Sequence, residues 1–301
     1  MYHHVLILFH VIIKGRYISV TNVSEVSILK KRYIISLASF IVLLIGIMIT
    51  MYIPKKASSD HSVIQPTVFV HGYKGTENSF GHMLKRFEKQ YKWGNTALIY
   101  YVSPQGEIQV YNLSKGKQNP VFIQVVFENN RASFADNTEW LASVTRHMKE
   151  YYQTNTINLV GHSMGGIVSL KYINEYQDPE TYPAVDKLIT IGSPFDGIYN
   201  QSYFQIHHDP AATDLKPNSV ALGLLRENTN AFPENISVLS IGSTGDIVAA
   251  PESVASLRSM IPENQLEEIM IENDQLGHSA LHEDETVDQY IHSFLWQNDR
   301  Q

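Results

Sequence analysis

Ser163 sits in LVGHSMGG, residues 159–166, with Gly161 and Gly165 two places to either side. Glycine adds nothing to a core and loses more backbone freedom on folding than any other residue, so packing alone does not ask for this arrangement. The G-x-S-x-G spacing is what a nucleophile elbow requires, a turn so tight that the flanking positions must be small while the serine hydroxyl stands exposed at its apex. TINLV before it reads as a strand and MGGIVSLKYINEY after it as a helix, and Gly166 leaves room for that helix to pack close to the sheet. A serine hydroxyl is a weak nucleophile until a base takes its proton, so an acid and a histidine are expected downstream in the order Ser, Asp/Glu, His.

Asp246 follows the strand ISVLSI and the turn Ser243-Thr244-Gly245, at a carboxyl end of the sheet where a ligand crevice belongs. Asp196 is the second candidate acid and Asp274 the third. Among 13 histidines, His278 in QLGHSALH follows the last expected strand and precedes the last helix, which would return it over the sheet. His282, four residues on, is its rival, because an early helix start would place both on one face. His162 is expected to point away from the elbow as a packing residue, and His292 to be structural. Acyl transfer also needs donors for a developing oxyanion. The Met164 N–H comes with the elbow, and VHGYKG, residues 70–75, supplies an HG opening, His71-Gly72, with the Tyr73 N–H as second donor.

The elements that must hold these residues alternate. TVFV (67–70), TALIYYV (96–102), TINLV (156–160), VDKLITI (185–191), ISVLSI (236–241) and LEEIMI (266–271) read as strands, and 78–90, 136–152, 164–177, 217–228 and 284–296 as helices. This pattern predicts βαβ crossovers on a mostly parallel sheet flanked by helices. GEIQVYN (106–112) and NPVFIQVVF (119–127) look like an added antiparallel hairpin turning at Ser114-Lys115-Gly116-Lys117. Residues 194–232 are polar and interrupt the alternation, where a lid or substrate wall would sit.

The 301 residues are 44% hydrophobic and contain no cysteine, which excludes a disulfide framework, a thiolate metal site and a cysteine nucleophile. Residues 1–56 carry seven Lys/Arg against Glu25 alone, or +6, so the rest of the chain carries 16 positive and 29 negative charges, or −13. An acidic body is a poor footprint for nucleic acid. Residues 33–53 are 21 uncharged residues, long enough for a helix through a bilayer core of about 30 Å. They read as a membrane anchor, with a cleaved signal peptide or a buried core helix as alternatives. Five Lys/Arg before the run and two after it favour an inside amino terminus, which would put the body outside the cytoplasm. The basic-then-apolar layout of an export signal restarts at Leu29, so residues 1–28 are read as an upstream stretch outside the native chain. Residues 54–65 read as a linker and 66–301 as the main domain.

No P-loop or dinucleotide glycine pattern is present, and no cofactor is expected. His207-His208-Asp209, with Asp214 nearby, reads as a solvated loop rather than a metal site, since adjacent residues do not easily converge on one ion. The acidic run 283–288 reads as charge for a helix amino terminus.

HGYKG, GHSMGG, the late GD after a strand and the histidine before a closing helix resemble the α/β-hydrolase superfamily over residues 64–298. The set FVHGYKGTENSF, LVGHSMGG, GSPFDG, GSTGDIV and GHSALHEDETV more narrowly resembles a bacterial family of membrane-anchored cell-surface hydrolases. GDIV departs from that pattern, which has a second small residue after the aspartate. The resemblance implies an exported serine hydrolase with Ser163, Asp246 and His278 as its triad but brings no established substrate; the complete set of catalytic parts points to a small or lipid-like acyl ester. Acyltransferase or amidase chemistry by the same residues, or a non-catalytic binding module on a hydrolase scaffold, stays open at this level.

Overall fold

The computed structural model describes residues 11–13, 16–18, 31–44, 65–113, 120–227 and 232–297. The chain divides into two units, Met1–Ser62 and Val63–Gln301. The first holds an antiparallel pair, β1 (Val11–Ile13) and β2 (Arg16–Ile18), and a helix over residues 31–44, α1. Among the described residues no helix is long and apolar enough to cross a membrane, and residues 45–53 of the apolar run lie outside them.

The second unit is built on eight strands: β3 (Thr67–Val70), β4 (Asn95–Val102), β5 (Ile108–Asn112), β6 (Val121–Phe127), β7 (Thr156–His162), β8 (Ala184–Ile191), β9 (Ser237–Ser243) and β10 (Leu266–Ile271). Their order is β10-β9-β8-β7-β3-β6-β4-β5, and every pair except β4–β5 is parallel. The connecting helices are α2 (Asn78–Lys85), α3 (Phe134–Tyr152), α4 (Met164–Glu175), α5 (Pro210–Asp214), α6 (Val220–Glu227), α7 (Pro251–Ala255) and α8 (Glu285–His292).

Side chains alternate across a strand, and both faces of this sheet are covered, so apolar residues on the central strands point to both faces. On β3, Val68 and Val70 join the core beneath α3 and α4 with Leu141, Leu159 and Ile167, whereas Phe69 faces Phe80, Met83, Phe87 and Ile291 on the α2 and α8 side. The Phe69 ring meets Phe80 edge-on at 5.3 Å and Phe122 at 5.9 Å. α3 opens on a capping box, Ser133 accepting from the Asp136 N–H while Asp136 reaches back to the Ser133 N–H.

The expected hairpin is corrected. β5 is antiparallel to β4, the strand before it, and β6 crosses to lie parallel between β4 and β3. The turn is at Ser103–Glu107, where Ser103 N–H donates to Glu107 O and Gly106 takes φ +80°. Residues 114–119, which include the expected turn, lie outside the described residues.

Candidate active site

The parallel strands bring their carboxyl ends to one edge, where β3, β7, β8 and β9 each deliver a loop. Ser163 follows β7 directly with φ 56° and ψ −127°, a conformation that costs on the order of 1–3 kcal/mol and persists only where the surroundings fix it. Its N–H donates to Ile191 O (2.8 Å), and the Gly166 N–H returns to Ser163 O (3.0 Å). The glycines are required by close approach: a Cβ on Gly161 would lie 2.4 Å from Gly166 N, and one on Gly165 would lie 2.1 Å from Val70 O.

The structure brings three expected residues into one line. His278 Nε2 is 2.9 Å from Ser163 Oγ, and its Nδ1 is 2.7 Å from Asp246 Oδ2. A carboxylate only accepts, so Nδ1 carries the proton toward Asp246 and Nε2 is the acceptor facing Ser163. The other carboxylate oxygen, Oδ1, accepts the Val248 and Ala249 N–H groups, each at 2.8 Å. The Asp246 side chain is fully buried, whereas Ile247 beside it is 77% exposed.

The rival residues lie elsewhere. Asp196 pairs with Arg226 and accepts from Tyr199 Oη (2.8 Å), and Asp274 accepts from Thr244 Oγ1 (3.1 Å). His282 packs edge-on against His162, its ring 4.7 Å away. His292 stacks on Trp93 at 4.0 Å.

The loop after β3 lies against the nucleophile, since a Cβ on Gly72 would stand 2.7 Å from Ser163 Cβ. His71 is buried and clamps it. Its Nε2 accepts the Phe127 N–H (3.0 Å), which leaves Nδ1–H to donate to Gly72 O (2.8 Å). Met164 begins α4, and the first N–H groups of a helix lack intrahelical partners and sit at its positive end.

Several neighbours of these residues carry no local sequence signal. His162 packs as expected, but it also meets His278: its Nε2–H donates to His278 O (3.1 Å) and the rings are 4.8 Å apart. Arg86, directly after α2, holds the fully buried Asp288 through Nε (2.6 Å) and Nη2 (3.0 Å), and Nη2 also donates to His282 O (3.1 Å). The acidic run therefore does more than charge a helix terminus: Asp284 caps α8 through the Thr286 and Val287 N–H groups, and Asp288 is the Arg86 partner. Gly192, at φ +55° after β8, leaves space beside Asp246, where its Cβ would lie 3.1 Å from Oδ2. Asp209 bonds Tyr73 and Arg131, and Lys74 Nζ meets His207 Nε2 at 3.0 Å.

Burial lowers the pKa of His71 to about 4 against its Gly72 hydrogen bond, and burial, with His278 and His282 nearby, holds His162 well below the ordinary value. Unfolded histidines titrate near 6.5, so between that pH and the folded values the unfolded chain takes up protons that the folded chain refuses. Stability is therefore full above about pH 6.5 and falls as the pH drops. From about pH 7 to about pH 5, His71 alone accounts for a loss of about 2 kcal/mol. Guanidinium unfolding at the two pH values measures it. Equal midpoints would mean that these imidazoles are not held neutral.

The fold recurs in solved structures. The lin2722 gene product of Listeria innocua is 24% identical, with a TM-score of 0.66 over 77% of this chain and 94% of its own. A Lactobacillus plantarum WCFS1 protein proposed to be a cell surface hydrolase is 20% identical, with a TM-score of 0.61 over 78% of this chain and 91% of its own. The mature lipase BlEst2 of Bacillus licheniformis is 16% identical, with a TM-score of 0.50 over 78% and 92%. Among curated proteins none matches in sequence. The family described as alpha/beta hydrolase of unknown function, DUF915, matches residues 54–298, and the chain belongs to that family.

Proposed function

We propose that the protein is a serine hydrolase of carboxylic acyl esters, working through an acyl-enzyme on Ser163. The observation that carries this reading is the hydrogen-bonded line from Ser163 Oγ through His278 to Asp246. Ser163 Oγ attacks the ester carbonyl carbon as its proton passes to His278 Nε2, and Asp246 holds the imidazole and stabilises the imidazolium. The Tyr73 and Met164 N–H groups hold the oxyanion. Collapse expels the alcohol, which takes the proton from Nε2. Water then gives a proton to Nε2, attacks the acyl carbon and releases the acid, restoring Ser163. Exposed Ile206, Val220 and Leu224 on the 194–232 insertion, which acts as a lid, with Ile247 beside Asp246, suit an apolar acyl chain.

The apolar run 33–53 anchors the chain in a membrane, and the excess of basic residues before it places the hydrolase domain outside the cytoplasm. The Lactobacillus plantarum neighbour, proposed as a cell surface hydrolase, accords with this location.

The test is fluorophosphonate labelling of the full chain in detergent, beside hydrolysis of p-nitrophenyl esters from short to long acyl chains. Labelling of Ser163 with ester turnover is expected. A folded chain that neither labels nor hydrolyses any ester would overturn the reading in favour of a binding module.

A further inference from the structure

The loop that would supply the Tyr73 N–H is fixed on two sides. On the β6–α3 side, the Lys74 N–H donates to Asn130 O (2.8 Å), with Lys74 at φ 59°, and Asn130 Nδ2 donates to Gly75 O (2.9 Å). On the other side the loop is held by its own side chain. Tyr73 Oη donates to Asp209 Oδ2 at 2.6 Å, and Arg131 Nη1 donates to the same oxygen at 3.0 Å. Arg131 and Lys74 also lie over the Tyr73 ring, at 5.8 and 5.1 Å from its centroid.

Asp209 belongs to the insertion between β8 and β9, 136 residues from Tyr73. Its second oxygen, Oδ1, caps α5 by accepting the Ala212 N–H (3.0 Å). α5 is in turn sewn to the β6–α3 loop, since the Ala211 N–H donates to Arg131 O (3.2 Å) and Asp214 Oδ2 accepts the Phe134 N–H (2.8 Å). One carboxylate therefore joins the inserted helix to the loop that abuts the nucleophile. Burial opposes its ionisation, but the hydrogen bonds from Tyr73, Ala212 and Arg131 keep Asp209 below the usual carboxylate range. Hydrogen bonds to an ionised acceptor are the short, strong kind.

We propose that Asp209 is a positioning residue for ester cleavage, which fixes the Tyr73 ring and through it the direction of the Tyr73 backbone N–H toward the oxyanion. This rests on the serine-hydrolase reading above. The physical reason is that such a donor works only within about 2.7–3.1 Å of the oxyanion, and whereas backbone hydrogen bonds hold Gly72, Lys74 and Gly75 on either side, Tyr73 between them is held through its side chain. A misplacement of about 1 Å costs up to about 10²-fold in rate.

The experiment compares Asp209→Ala, Asp209→Asn, Tyr73→Phe and the Asp209→Ala/Tyr73→Phe double variant with wild type, in the full chain, on p-nitrophenyl butyrate and with a fluorophosphonate. Asp209→Ala and Tyr73→Phe should each lower kcat by about 10- to 10²-fold with KM changed little, and each should slow labelling. The double variant should lose no more than the worse single variant. Asp209→Asn keeps one acceptor oxygen where two are used, by the Ala212 N–H on one side and by Tyr73 Oη with Arg131 Nη1 on the other, and should recover only part of the rate. An unchanged kcat in folded Asp209→Ala, or a rise in KM alone, would overturn the proposal and make the contact a packing feature of the insertion. If Asp209→Ala fails to fold, Tyr73→Phe decides, because it leaves the α5 cap intact. A wild type without labelling or turnover would overturn the serine-hydrolase reading and this proposal with it, whereas an active wild type with indifferent variants would overturn this proposal alone.

Discussion

Replacing Ser163 with alanine is expected to lower kcat for p-nitrophenyl esters by about 10⁶-fold and to abolish fluorophosphonate labelling, with the thermal unfolding midpoint almost unmoved. In the proposed mechanism the attacking oxygen is lost outright, and Ser163 Oγ is the hydroxyl that meets His278 Nε2 in the observed line. The fold does not depend on that oxygen. The turn is held by the Ser163 N–H on Ile191 O and by the close approach of Gly165 to Val70, both of which survive the change. His278→Ala should cost about as much, and the double variant little more, because the two residues act in one step and their losses do not add. Steady-state kinetics on the four forms would show this. Additive losses would mean that Ser163 and His278 serve different steps, and a Ser163→Ala variant within tenfold of wild type would place the nucleophile elsewhere.

The parts of this site that lay in short runs of sequence could be read there. Ser163 between two glycines, after a strand and before a helix, states its own geometry, and the order Ser, Asp, His then restricts the partners to loops after later strands. TVFV and LEEIMI coincide with β3 and β10 because short apolar stretches closed off by Pro66 before the first and by Glu272-Asn273-Asp274 after the second leave little freedom in where a strand ends. What failed was pairing. The alternation in residues 108–112 says that a strand exists but not which neighbour it bonds. The turn Ser103-Pro104-Gln105-Gly106-Glu107, with proline early and a glycine at positive φ, was the signal that β5 folds back on β4. The His162 contact with His278 joins residues 116 apart, and Tyr73 meets Asp209 across 136. Nothing local in a sequence encodes such a contact, because it arises from where the sheet order and the insertion bring two loops together.

Asp246→Asn is expected to lower kcat by about 10⁴-fold while KM and stability change little, and the reason lies in the two oxygens of this carboxylate. Oδ1 receives the Val248 and Ala249 N–H groups, which are fixed by the turn after β9 and can only donate. An asparagine must therefore turn its carbonyl oxygen to them. Its NH₂ then faces His278 Nδ1, which has to become the acceptor, and the imidazole proton moves to Nε2, the nitrogen that meets Ser163. The histidine stays in place with the wrong tautomer and cannot accept the serine proton. Turnover and the fluorophosphonate labelling rate should fall together, and Asp196→Asn and Asp274→Asn, whose partners are Arg226, Tyr199 and Thr244, should leave both nearly unchanged. A folded Asp246→Asn variant within tenfold of wild type would show that His278 takes its orientation from another group, and a large loss at Asp196 or Asp274 would name it.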